Sequence, residues 1–388
     1  MKITAAILWE RGQPLSIEEA ELDPPGPGDV LVEIKAAGVC HSDLHPVRND
    51  WPTRTPLVLG HEGAGIVREV GPGVTRVRPG DHVVLCWAPS CGVCPSCAEG
   101  HAVLCDRLDT TTYRNRLPSG ATPLHARGKD LGQFLGTGCF ADYAVVAEEG
   151  TVVVDRDVPF DALATVGCAV VTGVGAVLAA ARVPRGARVA VIGVGGVGLN
   201  VVQGALIAGA ERIVAIDRQP APLQLARAFG ATDIIDAGRP GTTGADGIAH
   251  TSSQVDSAVS AMTVDRVREL TGGRGADFVF DTVGTPATLA DSLAATRKGG
   301  TVVLTGLSRL DGVGSVSMFP FVMQEKRLIG SVYGSGRPTE DITRLVGWYR
   351  EGRLKLKELV NRTYALGQLN EALAALAGAE GARGVVLR

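Results

Sequence analysis

Along the first 150 residues, apolar positions come in short alternating runs cut by Gly and Pro, as at 29–36, 65–70 and 81–85. A period of two with turn residues at its ends predicts short strands joined by tight turns. From about residue 187 the rhythm changes to an apolar strand at 187–192, a Gly-rich turn and a helix, then a strand at 212–217 and a helix at about 222–229. Further strands are expected at 278–281 and 301–306, with a helix at 287–297 between them. Strand and helix in alternation predict a parallel, doubly wound sheet with right-handed crossovers, running to about residue 330. The stretch 237–260 is poor in large apolar residues and reads as a loop plus a surface helix.

Two stretches, 162–181 and 189–210, carry no charged residue over the length that a bilayer needs. Both are dense in Gly, Ala and Thr, and Arg182, Arg185 and Arg188 separate them, so they are expected to be buried elements of a globular protein. At 388 residues the chain calls for two cores, and 45% apolar residues, 20% charged residues and a net charge of -3 argue against nucleic-acid or membrane partners. Residues 1–10 lack the apolar core and cleavage site of a signal peptide, which makes a cytoplasmic location the default expectation. In that setting eight cysteines read as metal ligands before they read as disulfides.

The turn after strand 187–192 holds Gly193, Gly195 and Gly198 at the spacing of a dinucleotide fingerprint. The first permits a tight turn, the second lets backbone approach a pyrophosphate, and the third lets the following helix pack closely. Gly196 and Val197 open that helix with free N–H groups facing the anion. Asp217 ends the next strand, 24 residues after Gly193, where a carboxylate accepts from both ribose hydroxyls and repels a 2′-phosphate. NAD is therefore expected over NADP, with the adjoining Arg218 grouped in the cofactor set.

Cys91, Cys94, Cys97 and Cys105 form the pattern CxxCxxCx7C. Four thiolates so close repel one another unless a cation binds them, and two-residue spacings let sulfurs converge on a tetrahedral zinc. With four protein ligands such an ion is coordinatively full and organises a lobe, about 91–105. An iron–sulfur cluster also takes four cysteines, but the tight spacing suits mononuclear zinc. A nucleic-acid zinc ribbon would need a basic, aromatic face that this lobe lacks.

Cys40, His61 and Cys168, with Glu62 beside the histidine, are dispersed, and spacing alone does not link them. Five motifs do so by likeness: GVCHSD at 38–43, GHEGAGIV at 60–67, the four-cysteine lobe, GCAVVTGVGA at 167–176 and GVGGVG at 193–198. In this order they resemble the zinc-containing medium-chain alcohol dehydrogenases, over nearly the whole chain. The resemblance implies a catalytic zinc on Cys40, His61 and Cys168 with a fourth position open, and Glu62 either behind those ligands or as a transient ligand itself. It implies Ser42 bonded to the substrate hydroxyl, His45 at the far end of a relay through the nicotinamide ribose, and His41 and Arg383 near the cofactor pyrophosphate. Asp43 is read as orienting a zinc ligand, and Trp87 matches a substrate-pocket aromatic.

The implied architecture is a GroES-like partial β-barrel catalytic domain, 1–169 and 332–388, around a Rossmann NAD-binding domain, 170–331, with the cleft between them. The implied reaction is zinc-dependent hydride transfer between NAD and a primary aryl or medium-chain alcohol or aldehyde, with two zinc ions per chain. A homodimer or homotetramer is implied through an edge strand near 301–322. A thiol-adduct formaldehyde dehydrogenase stands as the alternative, with Arg114, Arg116 and Arg127 either binding an anionic conjugate or facing water. A zinc-free quinone or enone reductase and a non-enzymatic zinc-lobe protein are the other readings, both disfavoured by the intact Cys40, Ser42, His61 and Cys168 set. Segment 106–135 either caps the cleft or is a surface insertion.

Overall fold

A computed structural model of the chain describes residues 1–238, 252–378 and 382–388. The chain divides into two compact units, Met1–Val171 with Ser335–Arg388, and Thr172–Gly334. In the first, the alternating runs form two β structures. Strands Lys2–Leu8, Ser16–Leu22, Leu124–Ala126, Lys129–Gln133 and Leu57–Val58 close a barrel. A seven-stranded sheet runs in the order Thr151–Val154, His82–Leu85, Glu62–Val70, Asp29–Val39, Arg383–Leu387 and Val360–Ala365, with Tyr143–Ala147 also paired to Asp29–Val39. The last two strands of the chain are parallel, so helix Leu369–Ala377 lies in the crossover that parallel pairing requires.

The 106–135 segment is neither lid nor insertion in its second half. Its hairpin supplies two barrel strands, and Leu117, Leu124 and Leu131 are fully buried with Ile7 and Val58. The hairpin turn places Arg127 and Gly128 at positive φ, and the Arg127 guanidinium stacks 4.4 Å over Trp9 while pairing with Glu18 through two nitrogens. That arginine is thus engaged in holding the barrel surface together.

The second unit is built on six parallel strands in the order Asp233–Asp236, Arg212–Asp217, Arg188–Ile192, Ala276–Asp281, Thr296–Leu304 and Arg327–Gly330. The strand order reverses between Arg188–Ile192 and Ala276–Asp281, the switch point where nucleotides bind in open parallel sheets. Val189, Ala190 and Val191 are each 0% exposed, as expected of a strand covered on both faces. The edge strand on the side of Thr296–Leu304 is Arg327–Gly330, not the expected 301–322 stretch; Thr296–Leu304 is an interior strand and Met318–Met323 a short helix. Both strands carry a short apolar run, Thr301–Leu304 and Leu328–Ile329, and hydropathy alone does not rank interior against edge. Of the 237–260 stretch, Ser252 onward belongs to helix Ser252–Leu270, and 239–251, with His250, lie outside the described residues.

The apolar stretch near 162–181 is one continuous helical run, Phe160–Ala180, with π-helical turns at Val166–Val170 and Ala176–Ala180. By length and composition this helix is apolar enough to cross a membrane, but 78% of its apolar window is buried inside the protein. A helix apolar on every side is what a core demands.

Glycines are placed where backbones meet. A Cβ on Gly65 would lie 2.0 Å from the Glu33 carbonyl oxygen on the paired strand. Gly65→Ala is expected to destabilise the first unit by about 1–3 kcal/mol, the cost of overpacking, measured as a lower denaturant midpoint at unchanged m-value.

Candidate active site

Helix His41–Val47 begins at Cys40, and the Asp43 carboxylate accepts from the Cys40 N–H at 3.0 Å. The same carboxylate accepts from the Gly60 N–H at 3.2 Å and meets His61 Nδ1 at 3.1 Å. One fully buried acid therefore ties the helix start to the segment carrying His61, fixes the imidazole and leaves Nε2 as the outward nitrogen. Cys168 comes from the π-helical turn Val166–Val170; the extra residue in such a turn re-aims a side chain. Gly38 is opposite Glu62 in the sheet, and a Cβ there would stand 2.1 Å from the Glu62 Oε2 atom. Its lack of a side chain makes room for a carboxylate.

The outcome is that Cys40, His61, Glu62 and Cys168, all buried, hold their ligand atoms within 4.8 Å of one another. His61 Nε2 has no hydrogen-bond partner among the described residues. Phe134 closes on the ring edge-on, its centroid 5.5 Å away. Two thiols, an oriented imidazole nitrogen and a carboxylate are a zinc donor set, so these residues fit that ion.

Within the cluster the buried groups shift one another's charge. A hydrogen bond with Cys168, outweighing burial, pulls the Cys40 thiol well below its usual range, and Arg383 helps; the Cys168 thiol is raised correspondingly. Burial opposes charge on His61, yet Asp43 and Cys40 hold its imidazole well above the usual range. Burial pushes Glu62 up to about 8 against the pull of Arg383. Arg383, 3% exposed, donates from Nη1 to the Val39 carbonyl at 2.9 Å and brings Nη2 to 3.3 Å from Glu62 Oε1. Its backbone N–H is held by Asn361 Oδ1 at 2.8 Å. The guanidinium thus faces the buried cluster, and His41, at the helix start, has its imidazole lowered first by burial of the ring and then by charges that include Arg383. Ser42 is half-buried on the same helix, one turn before His45. Trp87 is buried just after strand His82–Leu85.

Cys91, Cys94, Cys97 and Cys105 also bring their sulfurs within 4.8 Å of one another. Cys94 Sγ and Cys105 Sγ are 3.8 Å apart, the edge of about 3.8 Å that follows from a tetrahedron with 2.3 Å metal–sulfur arms. The Val93 and Cys94 N–H groups draw the Cys91 thiol down to about 6, while burial and Cys94 push Cys97 up to about 12. The lobe is made of single turns, Pro95–Ala98, Ala102–Leu104 and Asp106–Asp109, with few buried apolar side chains.

In the second unit, Gly193 takes φ +82°, which an L side chain resists. A Cβ on Gly198 would lie 1.9 Å from the Gly193 carbonyl, whereas one on Gly195 would meet nothing within 4 Å. The open space at Gly195 lies at the start of helix Gly196–Ala208, in front of the Gly196 and Val197 backbone, and fits a pyrophosphate. Asp217 Oδ2 accepts from Val194 N–H at 2.8 Å and Oδ1 from Gln219 N–H at 2.9 Å, with Arg218 between. Sequence reasoning missed Thr282, whose hydroxyl donates to the Gly193 carbonyl at 2.7 Å, and Asp281, fully buried and accepting from Val283 and Gly284 N–H. It also missed Phe134 against His61, and no local motif marks any of these three.

Because Asp43 orients a candidate ligand, Asp43→Ala is expected to weaken metal binding at the buried site about 10- to 100-fold, read by chelator competition, with the four-cysteine lobe unaffected.

Residues 26–156 match the alcohol dehydrogenase GroES-like domain family, and residues 196–351 match the zinc-binding dehydrogenase family. The chain is 40% identical to putative alcohol dehydrogenase D of Mycobacterium tuberculosis, over 100% of both proteins. It is 39% identical to the NDMA-dependent alcohol dehydrogenase of Amycolatopsis methanolica, over 100% of this chain and 99% of that protein. The solved structure of benzyl alcohol dehydrogenase from Acinetobacter calcoaceticus superposes with a TM-score of 0.88 at 29% identity, covering 100% of this chain and 99% of that one. The chain belongs to the zinc-containing medium-chain alcohol dehydrogenase family and is an oxidoreductase of that zinc-dependent type.

Proposed function

We propose that this alcohol dehydrogenase moves a hydride between primary aryl or medium-chain alcohols, or their aldehydes, and NAD. The observation that carries the chemistry is the buried, partnerless His61 Nε2 beside two thiols and a carboxylate. Cys40, His61 and Cys168 would hold a catalytic zinc, with Glu62 as an intermittent fourth ligand, and Cys91, Cys94, Cys97 and Cys105 a structural one. Residues 1–169 and 332–388 would serve as the catalytic domain, and 170–331 as the dinucleotide domain. When bound, zinc supplies Lewis acidity at the substrate oxygen and the nicotinamide supplies the hydride acceptor.

The chain's own residues do the remainder. Ser42 would receive the hydroxyl proton while giving up its own, and His45, on the same helix His41–Val47, would be the group at the far end of the path that finally holds it. Asp43 keeps His61 in the ligating orientation. Arg383 balances the negative groups around Glu62 and, with His41, would meet the cofactor's phosphates. Gly193, Gly195, Gly196, Val197 and Gly198 would cradle the pyrophosphate. Asp217, held at the end of its strand, would select NAD over NADP, and Arg218 would flank the ribose.

The likeness to a benzyl alcohol dehydrogenase and the buried Trp87 support an aryl substrate. Engagement of Arg127 with Glu18 and Trp9 argues against its binding an anionic thiol conjugate. Association into a homodimer would use Met318, Phe319, Val322 and Met323, which stand exposed on the helix just ahead of edge strand Arg327–Gly330. A cytoplasmic location goes with this reading.

Purified protein is expected to hold two zinc ions per chain by elemental analysis and to oxidise benzyl alcohol with NAD faster than a linear alcohol or a thiol–formaldehyde adduct. A parallel arm with NDMA tests whether the dependence named for the Amycolatopsis relative is shared. Cys168→Ser should remove one zinc and the activity. A single zinc in the four-cysteine lobe of active protein would refute the assignment. Gly195→Ala is expected to weaken NAD binding at least tenfold without lowering Tm, because its methyl would fill space next to the helix start and no protein atom lies within 4 Å.

A further inference from the structure

His45 is set in place by two residues that follow its helix. Its ring stacks on Trp51 with centroids 4.2 Å apart and planes inclined by 18°. Its Nδ1 lies 3.4 Å from Asp50 Oδ2, and the Asp50 N–H donates to the His45 carbonyl at 2.8 Å. The His45 and Asp50 side chains are only 16% and 15% exposed, so water competes poorly for this contact.

We propose that Asp50 and Trp51 are positioning residues that hold His45 in the Nδ1–H tautomer, with Nε2 left as the nitrogen that receives the proton. The proposal rests on the reading of His45 as the end of the proton path from Ser42. A neutral imidazole has one N–H and one acceptor nitrogen, and which is which depends on the partner. An ionised carboxylate only accepts, so at Nδ1 it selects the tautomer whose Nε2 carries the lone pair. The Trp51 face removes the other freedom, since a ring stacked within 18° of an indole cannot swing about χ2 without losing that contact.

The remaining charged groups nearby do not offer an equivalent acceptor. His41, at the start of the same helix, offers a ring nitrogen rather than a carboxylate, Arg48 at its end is a cation, and Glu10 and Arg11 are exposed beside Gly12, whose N–H donates to the Val47 carbonyl. The helix packed against this one, Leu369–Ala377, buries Leu369 and Leu373, while its Glu371 pairs with Arg362. Asp50 and Trp51 carry no family motif in the sequence and become visible only once the loop folds back under the histidine.

The test uses full-length, zinc-loaded protein carrying nitrogen-15 histidine, with the His45 signals assigned by their loss in His45→Gln. The wild type and Asp50→Asn, whose amide oxygen still accepts, are expected to show the Nδ1–H tautomer. Asp50→Ala should shift His45 toward Nε2–H and lower kcat for benzyl alcohol about tenfold at unchanged KM, with Asp50→Asn recovering most of the loss. Asp50→Leu, close to the same size and unable to accept, should repeat the alanine result if alanine itself misfolds. Wild-type tautomer and kcat in both Asp50→Ala and Asp50→Leu overturn the proposal. If His45→Gln is slow while those variants are not, the proton path stands and only the role of Asp50 falls. If His45→Gln turns over at the wild-type rate, the proton path itself falls, and this role with it.

Discussion

The ionisable side chains of Cys40, Asp43, His61, Glu62, Cys168 and Arg383 are all buried in the core of the first unit. Burying one unpaired charge costs several kcal/mol, so such a cluster persists only when its charges answer one another. Here the answers are specific: Asp43 against His61, Arg383 against Glu62, and a hydrogen bond between the Cys40 and Cys168 thiols. Among the described residues, the His61 Nε2 atom, the Glu62 carboxylate oxygens and Arg383 Nε remain without a hydrogen-bond partner. The ligand atoms of Cys40, His61, Glu62 and Cys168 lie close enough together to fit a divalent cation.

The same constraint explains much of the local architecture. Gly38 has no side chain because the Glu62 carboxylate occupies its place, and Gly65 has none because the neighbouring backbone does. Asp43 is buried at zero exposure because it serves three partners from one position. In the second unit the demand is of another kind: polar backbone must be presented to an anion. There Gly193 bends the chain, Thr282 and Asp217 secure the turn from either side, and Gly198 lets the helix approach.

The exposed four-cysteine lobe obeys a third logic. Its turns bury too little apolar surface to fold by packing alone, so cross-linking through a metal would replace a core. This division of labour, an oriented donor set within a core and a self-contained cluster outside it, is why two groups of cysteines in one chain call for different chemistry.

The sequence by itself determined the repeating strand–helix rhythm of the second unit, the glycine turn with its acid, and the tight cysteine lobe. Each is written within about 30 residues, where periodicity and spacing act directly on backbone geometry. Strand Arg212–Asp217 was legible because its apolar run and bounding turns are local. Likeness to a family joined Cys40, His61 and Cys168; spacing did not. Only the tertiary structure decided that Asp43 reaches His61, that Arg383 faces Glu62, that residues 117–133 complete a barrel, and that Arg327–Gly330 rather than 301–322 is the sheet edge on that side. Those facts depend on pairings between stretches tens to hundreds of residues apart, and no local pattern of hydrophobic and polar positions encodes which partner a strand or a buried charge will meet.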